Sequence, residues 1–273
     1  MVITGSRMKP QPLRIGIWAG VATDNLEDNA ARIEAAITAA SQQSANLVLT
    51  PECALSGYPG AARESCHDID CRALAQLEAR LHQHAASHHV GLLLGSVDNI
   101  ADTQWSNDVV WCDPQGLQRT RYRKRCLTPM DRQHFVPGTQ AVCIDYLGWR
   151  LGLTICFDVR FPHIWADCVM ADCNLFINVA HMAGSNDDHG AKPIVIPSFY
   201  SVRAAEWATP IMFCNTGAAD RWLDSGYWDH RGMPQEHHGQ DLAIYTLPDH
   251  PSRQDWHRDL RQQQLQRWQQ RGP

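Results

Sequence analysis

Residues 151–162 read LGLTICFDVRFP and combine an apolar run, a cysteine and a proline. The run 151–155 predicts a buried strand that ends at Cys156. Pro162 cannot extend a strand and favours a turn into a helix, so Cys156 is predicted at an elbow between the two elements. Such an elbow presents a side chain and leaves backbone N–H groups free to bind an oxyanion. Taken alone, a buried structural cysteine is the commoner explanation of this position.

Two charged residues occupy comparable positions upstream. Glu52 follows a short apolar strand at 46–50, and α/β proteins commonly place their sites at the carboxyl ends of such strands. Lys124 lies within RYRKR at 121–125 and is one of three lysines in a chain with 21 arginines. Its ammonium is a compact charge on a flexible stem, which suits an anion that develops during a reaction. The alternatives are an exposed loop glutamate and a solvated strand end.

Predicted strands alternate with predicted helices in both halves of the chain, and hairpins lie between them. The strands are expected at 13–19, 46–50, 90–97, 108–112, 117–123, 142–146, 150–155, 174–179, 210–215, 225–230 and 241–246. The helices are expected near 26–40, 71–87, 163–171 and 198–208. Asp24 followed by Glu27 predicts a capping box at the start of the first helix. The whole pattern predicts an α/β fold of mixed sheets covered by helices.

No repeat, linker or break in composition divides the 273 residues. We therefore expect a single domain over residues 1–273, with a core at about 13–250. The tail at 251–273 is rich in Gln and Arg and has Trp256, Leu260 and Trp268 as its apolar positions. It favours a helix that docks on the body or on a partner subunit.

Composition and charge argue against several classes of protein. The formal net charge of −5 speaks against nucleic acid or an anionic membrane as the main partner. No apolar run spans a bilayer and no secretory segment is present, so a cytoplasmic protein is expected. Ten cysteines without a C-x-x-C pair predict free thiols in a reducing compartment. His84 and His88 share a predicted helical face, but without Cys or acidic partners at ligand spacing no metal site is expected.

Three segments, taken in order, identify a family. PECALSGYP at 51–59, YRKRCLTP at 122–129 and LTICFDVRFP at 153–162 resemble the nitrilase superfamily of carbon–nitrogen hydrolases. The likeness extends to further positions, which are Asn29, VRAAE at 202–206, Asn215, and SGYWDHRG at 225–232. The resemblance implies a four-layer αββα sandwich that pairs into a homodimer or a higher homo-oligomer.

The same resemblance implies a role for each motif residue. Cys156 would be the nucleophile, Glu52 the general base, and Lys124 the oxyanion stabiliser, assisted by the backbone N–H of Phe157. A thiol with an ordinary pKa of about 8.5 is mostly protonated at neutral pH, so a base must accept its proton. The implied reaction is hydrolysis of a small-molecule amide through a cysteine thioester, with release of ammonia. It needs no metal and no organic cofactor.

Two positions depart from the family pattern. Asp131 stands where many relatives have a second active-site glutamate. Because Asp131 is one methylene shorter, we expect its hydrogen bond to Lys124 to be lost or bridged by water. His163 stands where a glutamate usually follows the proline, which we interpret as a structural change near the site. A catalytically impaired relative that binds a ligand is therefore a second hypothesis, although Glu52 and Cys156 are both retained.

The run CFDVRFP resembles most closely the branch that acts on ω-amides of dicarboxylates and on deaminated glutathione-like amides. Within it, Arg160 could hold a substrate carboxylate bidentately or form a structural pair with Asp158 or another acid. Tyr58, Ala180 and His181 follow predicted strand ends and are weaker candidates for the substrate pocket, and His181 fits a surface histidine better. A nitrilase and an N-carbamoyl amino acid hydrolase of the same superfamily are alternatives. A papain-like peptidase would need a histidine base and a different cysteine motif.

Overall fold

The computed structural model describes residues 11–101, 103–117, 119–184, 190–235, 241–247 and 256–270. Its strands are β1 (Leu13–Trp18), β2 (Leu47–Leu49), β3 (Gly91–Ala101), β4 (Gln104–Cys112), β5 (Arg119–Arg123), β6 (Cys143–Tyr146), β7 (Trp149–Ile155), β8 (Leu175–Ala180), β9 (Ile211–Asn215), β10 (Gly226–Trp228) and β11 (Leu242–Leu247). Its α-helices are α1 (Leu26–Gln42), α2 (Cys71–Ser87), α3 (Pro162–Met170), α4 (Lys192–Trp207) and α5 (Trp256–Gln270).

The described strands form two sheets. One has the order β11-β1-β2-β3-β4-β5, and the other has the order β10-β9-β8-β7-β6. Each has a parallel centre, β1–β2–β3 in the first and β7–β8–β9 in the second, with antiparallel strands at its edges. Parallel neighbours need a crossover connection. Helices α1 and α2 supply it in the first sheet, and α3 and α4 supply it in the second.

Alternation along the strands builds the layers. In β2, Leu47 and Leu49 belong to an apolar cluster that also contains Leu153 of the second sheet. Val48, between them, faces the opposite way and shares a cluster with Ile33 of α1. The two sheets therefore pack against each other and carry their helices on the outside. The predicted four-layer αββα sandwich is confirmed.

Local chemistry explains where two helices begin. Helix α1 is capped by Asn25, whose side-chain oxygen accepts hydrogen bonds from the backbone N–H groups of Glu27 (3.0 Å) and Asp28 (3.1 Å). The capping box predicted one residue earlier is therefore wrong, because Asn25 already satisfies these donors. Helix α4 begins at Lys192, well before its predicted start. Pro193 is tolerated in the first turn, where its missing N–H has no intrahelical partner.

The C-terminal tail contains helix α5, which packs against α3. Leu265 contacts the main core, whereas Leu260 and Trp268 are exposed. Residues 251–255 and 271–273 of the predicted tail lie outside the described residues. Within the described ranges, no helix combines the length and the apolar character needed to cross a bilayer.

The sandwich brings several segments to one side. Glu52 follows β2, Lys124 follows β5, Cys156 follows β7 and His181 follows β8. Hydrogen bonds join Glu52 to Lys124 and to the backbone of His181. Segments from both sheets thus meet where these strands end.

Candidate active site

Cys156 lies at the elbow that its sequence predicts. It follows β7 directly and opens a short 3₁₀ helix, Cys156–Arg160, after which Pro162 starts α3. Its φ angle is +45°, in the left-handed region that a residue other than glycine rarely adopts. The side chain is 9% exposed and lines a cavity. The strained backbone therefore places the thiol at the floor of an open space.

Asp158 fixes the elbow from below. Its buried carboxylate accepts hydrogen bonds from the backbone N–H groups of Ile155 (2.9 Å) and Cys126 (2.8 Å) and from the hydroxyl of Tyr122 (2.7 Å). These contacts tie the turn after β7 to the end of β5. Asp158 is thus fully engaged with partners other than Arg160, and the structural pair between these two residues is not what the structure shows.

Glu52 is buried and is held by three donors. Its Oε1 accepts hydrogen bonds from the ammonium of Lys124 (2.7 Å) and from the amide nitrogen of Asn107 (2.7 Å). Its Oε2 accepts one from the backbone N–H of His181 (2.7 Å). Asn107 and this backbone group are functional neighbours that the sequence interpretation missed. They orient the carboxylate without neutralising it.

Lys124 is completely shielded from solvent and lies between two carboxylates. Its Nζ is 2.7 Å from Glu52 and 2.8 Å from Asp131. Burial lowers the pKa of Lys124, but the carboxylates, Glu52 foremost, outweigh burial and raise that pKa well above its ordinary value. Lys124 therefore stays protonated, and its positive charge is available to an anion near Cys156.

Asp131 keeps a direct hydrogen bond to Lys124, so the expected loss or water bridge does not occur. The carboxylate also accepts hydrogen bonds from Tyr58 Oη (2.7 Å) and from the backbone and hydroxyl of Thr128 (both 2.9 Å). The Asp131 N–H donates back to Thr128 Oγ1 (3.0 Å). This local turn holds the backbone close enough for the shorter side chain. Although burial raises the pKa of Asp131, its contacts with Lys124 lower that pKa overall.

The thiol of Cys156 is protonated at rest. Burial is the largest cause that raises its pKa well above the ordinary value, followed by the negative charge of Glu52, while Lys124 acts in the opposite direction. A hydrogen bond between the thiol and Glu52 raises the pKa further. The thiol therefore has a carboxylate beside it that can accept its proton.

A cavity of about 1180 Å³ lies over Cys156. Phe157, Arg160, Tyr58 and His181 contribute to its wall, whereas Ala180 does not, because it is fully buried at the end of β8. The rings of Tyr58 and His181 stack, with centroids 4.7 Å apart and 6° between their planes. Burial lowers the pKa of His181, so its ring is neutral at pH 7. His181 is thus part of the cavity wall and not an isolated surface histidine.

Two cations lie on this wall. The guanidinium of Arg160 is 5.7 Å from the centroid of Phe157 and 5.2 Å from that of Phe199. The ammonium of Lys192 lies 3.8 Å from the ring centroid of Trp222. Lys192 was not predicted as a site residue, although its rarity in this chain is the same signal that drew attention to Lys124.

Two buried asparagines hold the loops around the cavity. Asn215 accepts a hydrogen bond from the backbone N–H of Met182 (2.7 Å) and donates to the carbonyl of Leu223 (2.8 Å). Asn29 donates to the carbonyl of Leu55 (3.0 Å), in the loop that follows Glu52. The motif positions outside the centre therefore act as anchors for its loops. His163, by contrast, is exposed on α3 and outside the cavity wall.

The family assignment follows from this geometry and from comparison. The sequence profile described as carbon–nitrogen hydrolase matches residues 14–244. The chain therefore belongs to the carbon–nitrogen hydrolase family. The resemblance to the nitrilase superfamily drawn from the three motifs is confirmed.

Two curated relatives share part of the sequence. An (R)-stereoselective amidase of Pseudomonas sp is 30% identical over 125 residues, which are 43% of this chain and 41% of that amidase. Deaminated glutathione amidase of Dictyostelium discoideum is 28% identical over 204 residues, which are 67% of this chain and 68% of that enzyme. The match to the first relative thus spans less than half of its length.

Solved structures resemble the chain over nearly its whole length. An amidase from Nesterenkonia sp. superposes with a TM-score of 0.76 at 23% identity, over 94% of this chain and 99% of that one. A mutant of the Nesterenkonia sp. AN1 amidase, with the acetamide moiety of fluoroacetamide covalently added at its active site cysteine, superposes with a TM-score of 0.77 at 23% identity. That match covers 97% of this chain and all of the other. At this identity the likeness establishes the fold.

Proposed function

We propose that this protein is a thiol-dependent amidohydrolase that cleaves the C–N bond of a small, carboxylate-bearing amide and releases ammonia. The observation that carries the proposal is the meeting of the Glu52 carboxylate and the Lys124 ammonium, 2.7 Å apart, beside the Cys156 thiol. A base, a fixed positive charge and a nucleophile are what acyl transfer through a thioester requires.

The first half of the reaction forms the thioester. Glu52 accepts the proton of Cys156, and the sulfur attacks the amide carbonyl. The charge that develops on the carbonyl oxygen is stabilised by Lys124 and by the backbone N–H of Phe157, near the start of the 3₁₀ helix. Glu52 then returns the proton to the leaving nitrogen, and ammonia departs.

The second half hydrolyses the thioester. Glu52, again a carboxylate, accepts a proton from water, which attacks the same carbonyl. The oxyanion forms in the same place, so Lys124 stabilises both steps. Asp131 keeps Lys124 between two carboxylates, and Tyr58 donates to Asp131 from the cavity side. The acid product and the free thiol complete the cycle.

The cations of the cavity support a substrate that carries a carboxylate. Arg160 and Lys192 both line it, and the planar guanidinium of Arg160 can bind a carboxylate through two parallel hydrogen bonds. The name of the Dictyostelium relative, a deaminated glutathione amidase, points to the same substrate class. The wall residues Tyr58 and His181 would contact the acyl part of the substrate.

Ammonia release tests this function directly. The panel contains ω-amides of dicarboxylates, their neutral methyl-ester counterparts, N-carbamoyl amino acids and nitriles. We expect turnover of the carboxylate-bearing amides, loss of that turnover in Cys156→Ala, and full activity in the matched control Cys71→Ala, which removes an exposed thiol. Preferred turnover of nitriles or N-carbamoyl amino acids would replace the amide assignment with one of those activities.

The mass of the intact protein separates an enzyme from an inactive relative. A slow amide should leave an acyl adduct on wild-type Cys156 and none on the alanine variant. If the wild-type protein carried no acyl adduct and released no ammonia from any substrate of the panel, a ligand-binding protein without catalytic activity would be favoured. The direct hydrogen bond from Lys124 to Asp131 weighs against that outcome. It preserves the contact between Lys124 and a second carboxylate, although residue 131 is an aspartate where many relatives have a glutamate.

We further propose that the chain assembles as a homodimer or a larger homo-oligomer in the cytoplasm. Exposed apolar side chains on α4, which include Ile194 and Val202, are consistent with a covered face. Light scattering on the purified protein measures the mass of the assembly. A monomer at micromolar concentration would contradict the proposal.

A further inference from the structure

Three cysteines outside the proposed active site converge on one point. Cys143 begins β6, Cys168 lies in α3 and Cys173 precedes β8. Their sulfur atoms all lie within 4.8 Å of one another, and the sulfurs of Cys143 and Cys173 are 2.7 Å apart. The sequence spacing does not predict this cluster, because its three cysteines come from separate parts of the chain and form no C-x-x-C pair.

Gly152 makes room for the cluster. It lies on β7 directly opposite Cys143 in the antiparallel register. A Cβ atom at this position would lie 2.9 Å from the sulfur of Cys168 and 3.2 Å from that of Cys173, closer than ordinary packing permits. Any larger residue would therefore push the thiols apart. The absence of a side chain here is a second feature, independent of the cysteines, that builds the cluster.

The three thiols are not equivalent. Cys168 and Cys173 are each 1% exposed, whereas Cys143 is only partly buried. Hydrogen bonds from Cys168 and Cys173, with the nearby guanidinium of Arg150, lower the pKa of Cys143 to about 4. The least buried of the three residues is thus the one whose thiol ionises most readily, and the thiolate is the reactive form of cysteine.

We propose that Cys143 and Cys173 form a disulfide in response to a peroxide, with Cys143 as the attacking sulfur and Cys173 as the resolving one. The sulfurs of a partly buried cysteine and of a second cysteine 2.7 Å away match the pairing of attacking and resolving thiols at redox-sensing cysteines. The oxidant is a hydroperoxide from solution. Cys168 donates a hydrogen bond to the thiolate and takes no part in the bond.

The chemistry balances in two steps. The Cys143 thiolate attacks one peroxide oxygen, the O–O bond breaks, and hydroxide leaves and takes up a proton from solvent, so that Cys143 becomes a sulfenic acid. The Cys173 sulfur then attacks the Cys143 sulfur, the S–O bond breaks, and the hydroxyl leaves as water with the Cys173 proton. Two thiols lose two electrons, and the peroxide is reduced by the same two.

A zinc site fits the cluster less well. Three thiolates about 2.3 Å from one zinc ion lie about 3.8 Å from each other in tetrahedral geometry. The sulfurs of Cys143 and Cys173 are closer than that. Among the described residues, no fourth Cys, His, Asp or Glu joins the group. Direct bonding between two of the sulfurs is therefore the simpler outcome.

The disulfide would span the segment that carries the proposed nucleophile. Cys156 lies between the two cysteines in sequence, four residues beyond Gly152, which is about 13 Å along an extended strand. The Cys156 thiol is protonated and buried, so it reacts with peroxide more slowly than the Cys143 thiolate. A peroxide pulse should therefore link the pair while Cys156 remains a free thiol.

Peptide mapping of the wild-type chain tests the proposal without reference to amidase activity. The full-length protein is treated with one equivalent of hydrogen peroxide, denatured and alkylated, and then digested without reduction. Cleavage before Asp172 is required, since it separates the peptides of Cys168 and Cys173. We expect a linked Cys143–Cys173 peptide, two fewer alkylations per chain, and an alkylated Cys156.

Variants identify the role of each sulfur. In Cys173→Ser, Cys143 should stop at the sulfenic acid and react with dimedone, whereas Cys168→Ser should still form the disulfide. A wild type in which Cys143 is overoxidised without a link, or links to Cys168, would overturn the proposal. So would one equivalent of zinc in the purified wild type that is absent from Cys143→Ser. Because the wild-type map decides the main question, a variant that fails to fold leaves the test intact.

Discussion

The Lys124 ammonium lies 2.7 Å from a carboxylate oxygen of Glu52, and neither side chain is exposed to solvent. Lys124 also contacts Asp131, so one buried cation serves two buried anions. Removing the cation leaves both carboxylates uncompensated, whereas removing one anion leaves an intact pair. The arrangement is therefore asymmetric, and the asymmetry can be measured.

The first prediction compares Lys124→Met with Glu52→Gln. The methionine variant should lower the free energy of unfolding by about 3–5 kcal/mol, since breaking a buried pair leaves unpaired charge. The glutamine variant should lose less, because Lys124 keeps Asp131. Both should lose amidase activity. Urea unfolding of the two proteins at pH 7 measures the difference, and equal losses of stability would contradict it.

The second prediction concerns Tyr58→Phe. The substitution keeps a ring to stack on His181 but removes the hydroxyl that donates to Asp131. A hydrogen bond to a charged group contributes about 1.5–3 kcal/mol, so we expect kcat to fall by roughly ten- to a hundredfold, with little change in KM. Steady-state kinetics give both values. A changed KM with an unchanged kcat would instead make Tyr58 a residue that only binds substrate.

The third prediction concerns a glycine behind the proposed base. A Cβ atom on Gly95 would lie 1.8 Å from the carbonyl oxygen of Pro51 and 3.0 Å from the backbone nitrogen of Cys53. Gly95→Ala should therefore displace the segment that carries Glu52, and lower both activity and the melting temperature. Gly16→Ala, on a strand of the same sheet, would meet only side chains, at 3.1 Å and beyond. Gly16→Ala should therefore lower activity and the melting temperature less than Gly95→Ala does. Equal losses in the two variants would mean that any glycine replaced in this sheet has the same effect.

Motifs predicted the centre of the site better than its surroundings. Glu52, Lys124 and Cys156 could be identified because each ends a predicted strand and lies in a recognisable segment. Asn107 could not, because it lies inside β4, whose start at Gln104 reads as a polar stretch. The backbone N–H of His181 is equally invisible in a sequence, since every residue except proline has one. Contacts made by main chain or by mid-strand polar residues require the fold.

Element boundaries show the same limit. The hydrophobic periodicity of α2 placed that helix at its observed bounds, because one face is buried throughout. The predicted start of α4 at residue 198 was too late, since the helix begins at Lys192 and includes Pro193 and Pro197. Lys192 was not predicted as a site residue, although it lies at the first position of α4 and on the cavity wall. Pro193 lies in the first turn, where proline is compatible with a helix, whereas Pro197 lies inside the helix.

The fourth prediction is a pH dependence of stability at Asp108. This residue is 1% exposed, with Arg121 and Arg123 3.5 and 3.8 Å away. Burial nevertheless raises the pKa of Asp108 to about 6. Between roughly pH 4 and 6 the folded chain keeps a proton that the unfolded chain has released, so this group makes the free energy of unfolding fall as pH rises.

Asp108→Asn has no carboxyl proton to release, so residue 108 should no longer make the free energy of unfolding fall between roughly pH 4 and 6. Its stability relative to wild type should increase by up to about 1.4 kcal/mol per pH unit across this window, and the gain should persist above pH 6. Urea unfolding at pH 4, 5, 6 and 7 measures the trend. The control Asp68→Asn removes an exposed carboxylate and should run parallel to wild type. Parallel behaviour of the Asp108 variant would mean that this carboxylate titrates at its ordinary pKa.

The fifth prediction assigns the substrate carboxylate to one of the two cations on the cavity wall. Arg160 has a guanidinium that can make two parallel hydrogen bonds, whereas the Lys192 ammonium lies over Trp222. If Arg160 holds the carboxylate, Arg160→Leu should raise KM for a carboxylate-bearing amide by roughly ten- to a hundredfold. The neutral methyl ester of the same substrate should be turned over equally by wild type and variant.

Lys192→Leu is the matched control, because it removes the other positive charge from the same cavity. It should change KM for both substrates little. If Lys192→Leu alone raised KM for the charged substrate by roughly ten- to a hundredfold, the carboxylate site would instead lie at the start of α4. Arg160→Lys refines the result, since a lysine keeps the charge but cannot form the bidentate contact. Recovery of KM by that variant would mean that charge is sufficient, and a persistent increase would mean that the planar geometry of Arg160 selects the substrate.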